Sequence, residues 1–333
     1  MRPTEWNPGR LLETSGYYWQ TCTLHAGVKL DVFTVIGKKR MTAAEVSGEI
    51  GGDAQAVTRL LNALSALGLL EKKEKVYANT RAALQFLCKN SPAYIGYMIM
   101  HHQHLVASWS RLDEAVRTGK SVRSSVVTDR DDETRESFLM GMFNLAMELA
   151  PRLVEKISMA DRHYLLDLGG GPGTYAIHFC QKNPQLRATV FDLPTTEPFA
   201  RKTIERFNLS DRIDFMKGNY LEDGIRGKYD AAWLSHVLHG EGPDDCRMII
   251  QKAVSALEPG GMIIIHEFIL DNSGDAPLFP ALFSLNMLLA TDRGQAYTEA
   301  ELTEMLREAG VGSIHRIAVQ TPNESGIIAG TIP

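Results

Sequence analysis

The chain has 333 residues and a formal net charge of −5 at pH 7, and it is long enough to form two domains with a large core. This charge gives no electrostatic reason to expect nucleic acid or an anionic membrane as a partner. No apolar run approaches the length of a membrane span, and the N-terminus lacks the apolar segment of a signal peptide, so we expect a cytoplasmic protein. The four cysteines have neither paired nor metal-ligand spacing, so we expect reduced thiols and no metal site: Cys22, Cys88, Cys180 and Cys246.

Residues 1–90 are predicted to form a mainly helical domain. The first twenty residues show no clear period, and an apolar helical face then recurs every three or four residues at Leu24, Val28, Val32 and Val35. Thr42 and Asp53 are the predicted N-caps of the next two helices, and a charged hairpin is predicted over 69–77. Three helices and a small hairpin predict a winged-helix domain.

Winged-helix domains often bind DNA through their third helix, which here is predicted over residues 54–68. Its sequence AQAVTRLLNALSALG carries one basic residue, Arg59, and is otherwise mostly apolar or small. A helix that reads the major groove needs several basic or amide side chains on one face. The pattern therefore favours a buried helix in a dimerisation domain, and a homodimer without nucleic acid.

Residues 91–160 are predicted to supply helices that link the two domains and line a substrate pocket. Three histidines lie close together in this segment, but on a helix His101 and His104 share a face while His102 points elsewhere. Polar lining or plain surface is therefore a better interpretation than a metal site.

The end of this segment contains a methionine-rich helical pattern over 138–157. Met142 and Phe143 are candidate substrate contacts on it, and an ordinary core face is the alternative. The polar stretch 121–136 is predicted to be an exposed loop. Pro151 is predicted to kink or restart the helix.

A glycine-rich unit opens the last predicted domain, 161–333. Tyr164–Leu168 predicts a buried strand, the turn GGGPGT follows, and a second strand after a helical segment ends on Asp192. The last glycine of the dinucleotide-binding pattern is absent, and Asp167 just before the turn would repel a phosphate. The same carboxylate suits an ammonium or sulfonium, and Asp192 can accept from both hydroxyls of a ribose. The unit thus predicts a site for S-adenosylmethionine, with an ordinary tight turn as the alternative.

Strands and helices alternate along the rest of the chain. Further strands are predicted at 213–217, 229–235 and 262–268, with helices between them, and a final strand pair at 313–319 and 326–331. This alternation predicts an α/β fold with a doubly wound, Rossmann-like parallel sheet.

Motifs in a fixed order span nearly the whole chain: GVKLDVF (27–33), RLLNALSALGLL (59–70), LLDLGGGPG (165–173), FDLP (191–194), GNYLEDGI (218–225), VLHGEGPDDC (237–246), EPGGMIIIHE (258–267) and YTEAELTEMLREAG (297–310). With these motifs the chain resembles the class I S-adenosylmethionine-dependent small-molecule O-methyltransferases, and within them the plant phenolic and bacterial antibiotic-tailoring enzymes.

The resemblance implies a set of contacts to S-adenosylmethionine, which leaves as S-adenosylhomocysteine. The predicted cofactor-binding residues are Asp167, Gly169, Gly171, Asp192, Leu193, Asn219, Tyr220 and Ser235. Gly169 and Gly171 would approach the methionine part, and Asp192 would bind the ribose. Asn219 and Tyr220 would bracket the adenine. The family usually has aspartate in place of Asn219 and often lysine in place of Ser235.

A phenol is mostly protonated at neutral pH and becomes a better nucleophile when a base removes its proton. His239 lies just past the carboxyl end of a predicted strand, and by resemblance it is the general base; a capping or surface histidine is the alternative. Glu267, at the end of the next strand, is predicted to fix its tautomer, with a solvated strand-end carboxylate as the alternative.

One departure from the plant enzymes concerns a second glutamate in a G-x-E-R-T segment. Here the segment is GQAYT, so Ala296 and Tyr297 replace the glutamate and the arginine. The base would then be held by one carboxylate, and the acceptor need not be the usual catechol-like phenol. His236 and Asn286 are the remaining candidate substrate contacts, and for Asn286 an ordinary helix-surface amide is the alternative.

The predicted function is methyl transfer from S-adenosylmethionine to a hydroxyl of a small aromatic or enolic molecule, by a homodimer. A thiol, amine or carbon acceptor is the first alternative, because a thiol with a pKa of about 8.5 needs less help from a base. A regulator that binds S-adenosylmethionine and uses the winged helix is the second.

Overall fold

The computed structural model describes residues 5–123 and 132–333. They form two compact units: the first contains the described residues up to Val106 together with 132–145, and the second contains 107–123 and Ala146–Pro333. The predicted division at 90 and 160 remains a prediction; in the structure, residues 91–160 are shared between the two units. No helix of the described residues is long and apolar enough to cross a membrane.

The first unit is mainly helical with a small antiparallel sheet. Its elements are α1 (Pro8–Lys29), α2 (Val32–Ile36), β1 (Met41–Thr42), α3 (Ala43–Ile50), α4 (Ala54–Ala66), β2 (Leu70–Lys73), β3 (Val76–Asn79), α5 (Arg81–Phe86) and most of α6 (Gly96–Trp109). The strand order is β1-β3-β2. Thr42 forms a capping box with Glu45, and Asp53 accepts from the Ala56 amide, so both predicted N-caps are confirmed.

The start of the chain contains a helix that was not predicted and a predicted helical face that is divided between two helices. Helix α1 begins at Pro8, capped by Asn7, in a region where the sequence shows no clear period. Its side chains are mostly exposed, so it lacks the apolar stripe that marks a helix packed on its own domain. The face predicted over Leu24–Val35 belongs to two helices, because Asp31 adopts the left-handed conformation (φ 56°) between α1 and α2.

The connecting segment contains α7 (Leu112–Thr118) and α8 (Asp132–Glu155). Of the predicted loop 121–136, residues 124–131 lie outside the described residues, and the part from 132 onward is helical, so that part of the prediction is wrong. Helix α8 continues through Pro151 rather than restarting there. Pro151 lacks the amide that would donate to the Met147 carbonyl, and the helix continues with that one hydrogen bond missing.

The second unit is built on a seven-stranded sheet, which confirms the predicted α/β fold. Its remaining elements are β4 (Tyr164–Leu168), α9 (Thr174–Lys182), β5 (Arg187–Asp192), α10 (Glu197–Arg206), β6 (Ile213–Lys217), β7 (Tyr229–Ser235), a short 3-10 helix (Leu238–Gly240), α11 (Pro243–Ser255), β8 (Leu257–Glu267), α12 (Leu278–Ala290), α13 (Glu299–Glu308), β9 (Gly312–Ile317) and β10 (Gly326–Thr331). The order is β6-β5-β4-β7-β8-β10-β9, with β10 antiparallel to both neighbours and the other pairs parallel.

Side chains alternate between the two faces of this sheet and build two cores. Leu166 and Leu234 pack on one face with α11 and α13, whereas Leu165 and Trp233 pack on the other with α8, α9 and α10. The strand order reverses between β4 and β7, which places the ends of these strands side by side at the crevice where such sheets bind ligands.

Candidate active site

Most of the predicted site residues of the second unit lie at or just after the carboxyl ends of five neighbouring strands, β6, β5, β4, β7 and β8. Leu168 of β4 pairs with Phe191 of β5 and with Leu234 of β7, and Leu234 pairs with Ile265 of β8. The residues just beyond these pairs therefore lie along one edge of the sheet.

The glycine turn after β4 depends on backbone conformations that favour glycine. Gly169 and Gly171 have φ of 65° and 53°, in the left-handed region. The Gly169 amide donates to the Phe191 carbonyl at 2.8 Å, and the Gly171 amide donates to Asp192 Oδ2 at 2.8 Å. The turn is thus tied to the end of β5 at two points.

Asp167, which precedes this turn, is almost fully buried and poorly supplied with donors. Its Oδ2 accepts from the Ala176 amide at 3.2 Å, and its Oδ1 has no partner among the described residues. Burial raises the pKa of Asp167 to about 7; the bond from Ala176 opposes this rise, and the charge of Asp192 adds to it. A buried oxygen without a donor fits a ligand that carries a positive charge, such as the methionine end of S-adenosylmethionine.

Asp192, at the end of β5, has several donors instead. Besides the Gly171 amide, it accepts from the Leu193 amide at 2.7 Å and from Thr196 Oγ1 at 2.9 Å. Burial raises the pKa of Asp192, and these three hydrogen bonds oppose that rise. Both carboxylate oxygens are therefore fixed in position, while contact with a ribose remains a prediction.

The segment after β6 carries Asn219 and Tyr220. Asn219 Oδ1 accepts from the Leu221 amide at 3.0 Å, so its carbonyl closes a local turn. The Tyr220 hydroxyl donates to Glu241 Oε1 at 3.2 Å. Burial raises the pKa of the Tyr220 hydroxyl and that of Glu241. The predicted adenine contacts stay predictions, and Glu241 is a partner that the sequence did not single out.

Lys252 of α11 holds the same segment from the other side. Its Nζ donates to the carbonyls of Tyr220, Leu221 and Asp223 at 2.9, 2.8 and 3.0 Å. One ammonium thus fixes three backbone groups of the segment next to the predicted adenine contacts.

His239 and Glu267 lie in direct contact. His239 Nδ1 is 2.8 Å from Glu267 Oε2, and both side chains are largely shielded from solvent. An ionised carboxylate can only accept, so Nδ1 carries the proton and Nε2 is left with a free lone pair. This is the tautomer that a general base needs.

Glu267 is also saturated with hydrogen bonds. Its Oε1 accepts from the amides of Leu238 and His239 at 2.9 and 3.3 Å, and its Oε2 accepts from the Phe268 amide at 3.1 Å as well as from His239 Nδ1. Burial alone would raise the pKa of Glu267, but the neighbouring imidazoles of His239 and His236 bring it well below its usual value.

His236 lies beside this pair but is not bonded to it. Its Nδ1 is 3.6 Å from Glu267 Oε2, which exceeds hydrogen-bond length, and it has no partner among the described residues. Its ring lies 4.4 Å from that of Phe268, and His239 packs edge-on against Phe283 at 4.8 Å. Phe268 and Phe283 are 4.3 Å apart, so the imidazoles face an aromatic wall.

Among the residues that the structure describes, one group has metal-ligand geometry: His236, His239 and Glu267, with candidate atoms within 4.8 Å of one another. Four donors already fill the four lone-pair positions of the Glu267 carboxylate. This arrangement favours a hydrogen-bonded pair over a metal centre.

Comparisons with known proteins agree with this geometry. A family model described as an O-methyltransferase domain matches residues 109–312, and a second, described as an O-methyltransferase dimerisation domain, matches residues 12–89. The chain belongs to the O-methyltransferase family. It is an S-adenosylmethionine-dependent enzyme that methylates a hydroxyl of a small molecule, as predicted, and S-adenosylhomocysteine is its coproduct.

Two curated relatives from Streptomyces are similar to this O-methyltransferase over almost its full length. The 3-hydroxy-5-methyl-1-naphthoate 3-O-methyltransferase of Streptomyces sahachiroi is 31% identical over 98% of this chain and 96% of its own. The tetracenomycin polyketide synthesis 8-O-methyl transferase of Streptomyces glaucescens is 32% identical over 96% of each chain. An O-methyltransferase family protein from Burkholderia thailandensis has a similar structure, with a TM-score of 0.88, 28% identity and coverage of 99% of both chains.

The other predicted substrate contacts of the methyltransferase occupy different places. Asn286 of α12 is buried, and its Oδ1 accepts from Trp109 Nε1 at 3.2 Å. Met142 and Phe143 lie on the part of α8 that belongs to the first unit, so their contact with a substrate stays a prediction. Ser235 ends β7 and bonds to a buried histidine, His266.

The replaced glutamate position has a structural explanation in this methyltransferase. Ala296 is buried, and the next residue, Tyr297, donates from its hydroxyl to the Glu241 carbonyl at 2.6 Å. The segment therefore supports the chain just after His239 and contributes no second carboxylate.

Proposed function

We propose that His239 is the general base of the methyltransferase and that Glu267 is its positioning residue. The observation that carries this proposal is the 2.8 Å contact between His239 Nδ1 and Glu267 Oε2. The carboxylate holds the proton on Nδ1, so Nε2 can take a proton from an acceptor hydroxyl. The resulting imidazolium is stabilised by the same carboxylate.

We propose that the cofactor is held by the residues predicted from the sequence. Asp167 faces the methionine ammonium, Asp192 binds the ribose, and Tyr220 lies on the adenine. S-adenosylmethionine supplies an electrophilic methyl group, and the displacement needs alignment of the acceptor oxygen with that methyl. The chain's own contribution is to hold the two partners, shield them from water and remove one proton.

The acceptor that fits best is a fused-ring phenol. Phe268, Phe279 and Phe283 form an aromatic wall beside His239, with ring centroids 4.3 to 6.1 Å apart. Such a wall suits a flat aromatic ring. The names of the two Streptomyces relatives also refer to a naphthoate and to tetracenomycin polyketide synthesis.

A panel of acceptors tests this function. Wild-type protein is given S-adenosylmethionine with naphthols, anthraquinone phenols, thiols or amines, and products are detected by mass spectrometry. We expect O-methylation of fused-ring phenols and a loss of about 10²- to 10⁴-fold in kcat for His239→Ala. Replacement of an exposed histidine on β9, His315→Ala, should leave turnover unchanged. Preferential methylation of a thiol, with turnover insensitive to His239→Ala, would contradict the proposed base and acceptor.

We also propose that the methyltransferase is a homodimer formed through a winged-helix dimerisation domain. A dimerisation-domain model matches residues 12–89, and the N-terminal region including α1 exposes large apolar side chains at Trp6, Leu11, Leu12, Tyr17, Tyr18 and Trp19. Sedimentation analysis should find a dimer for the wild type and a weakened one for the double variant Leu12→Asp/Trp19→Asp. A monomeric wild type at micromolar concentration would contradict this proposal.

A further inference from the structure

Behind Ser235 lies a buried chain of hydroxyl groups joined through His266 of β8. His266 is fully buried; its Nδ1 is 2.9 Å from Ser235 Oγ, and its Nε2 is 2.9 Å from Ser325 Oγ. Ser325 Oγ is in turn 3.0 Å from Thr321 Oγ1. Neither the proposed base nor the proposed cofactor contacts use this chain, apart from its first member.

The direction of each hydrogen bond in this chain is fixed by its last member, Thr321. Thr321 has one hydroxyl proton, and it donates that proton to the Ser325 carbonyl at 3.0 Å. The contact between the two hydroxyls is therefore donated by Ser325. Since Ser325 has then used its own proton, its oxygen must accept from His266, and Nε2 of His266 carries a hydrogen.

The second nitrogen of His266 is left without a proton. Burial lowers the pKa of His266 well below its usual value, and the neighbouring His236 lowers it further against the opposing charge of Glu267, so the ring is neutral. With Nε2 protonated, Nδ1 can only accept, and Ser235 must donate to it. The opposite tautomer would set two lone pairs against each other between Nε2 and Ser325.

Ser235 thus donates its only hydroxyl proton to His266, in the protein interior. It follows Leu234, whose strand partner Leu168 directly precedes the glycine turn, so Ser235 lies beside the proposed methionine end of the cofactor. The Tyr175 hydroxyl lies 3.5 Å from His266 Nδ1, beside the shorter contact from Ser235. The lone pairs of the Ser235 oxygen remain, and they can only accept.

We propose that Ser235 is held as an obligate acceptor for the sulfonium end of S-adenosylmethionine, and that His266 and Ser325 are the positioning residues that fix this polarity. The inference rests on the proposed cofactor site. A sulfonium polarises the C–H groups bonded to it, and a fixed oxygen lone pair contacts them favourably. The thioether of the product lacks this charge, so the contact favours the substrate cofactor over S-adenosylhomocysteine and aids product release.

The proposal is tested away from the cofactor with Ser325→Ala. Without the acceptor at Nε2, His266 can move its proton to Nδ1, and Ser235 can then turn its own proton outward. We expect the Kd for S-adenosylmethionine to rise by about tenfold and that for S-adenosylhomocysteine to rise less than twofold, by calorimetry. Thr321→Val frees the Ser325 proton and should act in the same direction. Ser255→Ala, on an exposed helix position, is the matched control.

Imidazole ¹⁵N chemical shifts give a second readout that a merely structural role would not move. In the wild type, His266 should show a protonated Nε2 and a bare Nδ1, and Ser325→Ala should change this pattern. A protonated Nδ1 in the wild type would overturn the proposal. So would an equal loss of affinity for both ligands, since that would point to their shared ammonium or to a general disturbance. Failure of the wild type to bind S-adenosylmethionine would instead reject the cofactor site itself.

Discussion

Two buried carboxylates stand at strand ends of the second unit, and they differ in the number of donors that reach them. Glu267 at the end of β8 accepts four hydrogen bonds, and its pKa lies well below the usual value. Asp167 at the end of β4 accepts one from the protein, and its pKa is raised to about 7. The two groups are almost equally buried, at 3% and 1% exposure, so burial does not explain the difference.

The difference shows which part of the site is complete in the protein alone. Glu267 is already ionised and fixed, and it needs no ligand to hold His239. The ionised form of Asp167 is unfavourable in the protein alone, because a buried charge without a partner is costly. A positively charged ligand group would stabilise it. We infer that the acceptor side is preorganised, whereas the cofactor side is completed by the cofactor.

The largest effect is expected from Glu267→Gln. An amide can accept on one side only, so its NH₂ group would face the Phe268 amide and His239, and His239 would lose the tautomer of a base. We expect kcat to fall by about 10³-fold and the free energy of unfolding to fall by about 1–3 kcal/mol, with an unchanged Kd for S-adenosylmethionine. Steady-state kinetics, chemical denaturation and calorimetry measure these quantities. Glu258→Gln, an exposed position on the same strand, is the control; a variant of Glu267 with normal turnover would show that His239 needs no carboxylate.

Asp167→Asn should separate cofactor binding from catalysis. It removes the charge that is proposed to face the methionine ammonium, so we expect the Kd for S-adenosylmethionine to rise by about 10- to 100-fold. Asp214→Asn, an exposed aspartate on β6, should change nothing. Equal affinities in the wild type and Asp167→Asn, measured by calorimetry, would mean that Asp167 Oδ1 does not contact the ammonium of the cofactor.

The pH dependence of the wild type sharpens the same contrast. The folded pKa of Asp167 is raised, so folded protein binds more protons than unfolded protein between about pH 4 and pH 7, and stability falls as pH rises through that window. Cofactor affinity should behave in the opposite way. It should weaken by up to about tenfold per pH unit below 7 and level off above it, because the cation binds the ionised carboxylate. Titration calorimetry at several pH values checks this, and both dependences should be reduced in Asp167→Asn.

The smallest effect is expected from Lys252→Met. The ammonium binds three backbone carbonyls, including that of Tyr220, but no side chain that is proposed to contact the cofactor, so the Kd for S-adenosylmethionine should rise by about threefold with little change in kcat. Lys182→Met removes a lysine that donates to the Val154 carbonyl elsewhere, and it is the matched control. A tenfold fall in kcat would assign Lys252 a larger role than anchoring this segment.

The sequence predicted those features that depend on local pattern. The strands β4, β6 and β7 were placed to the residue, and the N-caps Thr42 and Asp53 were found, because periodicity and capping chemistry are encoded within a few positions. Helix α1 was missed because its exposed apolar side chains do not form a stripe facing its own domain.

The sequence was weaker where partners come from distant parts of the chain. His239 and Glu267 could be paired because adjacent parallel strands bring their ends together. No local signal joins Ser325 to His266, since 59 residues separate them and the contact depends on how β10 returns beside β8. The aromatic wall is similar: Phe279 and Phe283 share one helix, but its position against Phe268 is a matter of tertiary packing.

The three glycines of the turn after β4 look interchangeable in the sequence, yet each is required for a different reason. A methyl group on Gly169 would have both a strained backbone and Val237 Cγ2 at 2.6 Å, whereas on Gly170 it would strike the Asp167 carboxylate at 2.7 Å without any backbone strain. On Gly171 it would enter open space, so only the left-handed backbone conformation (φ 53°) disfavours a side chain there. Alanine at 171 should therefore cost only the strain of a left-handed residue, about 1–2 kcal/mol, whereas alanine at 169 or 170 must displace Val237 or the Asp167 carboxylate and should destabilise the fold further.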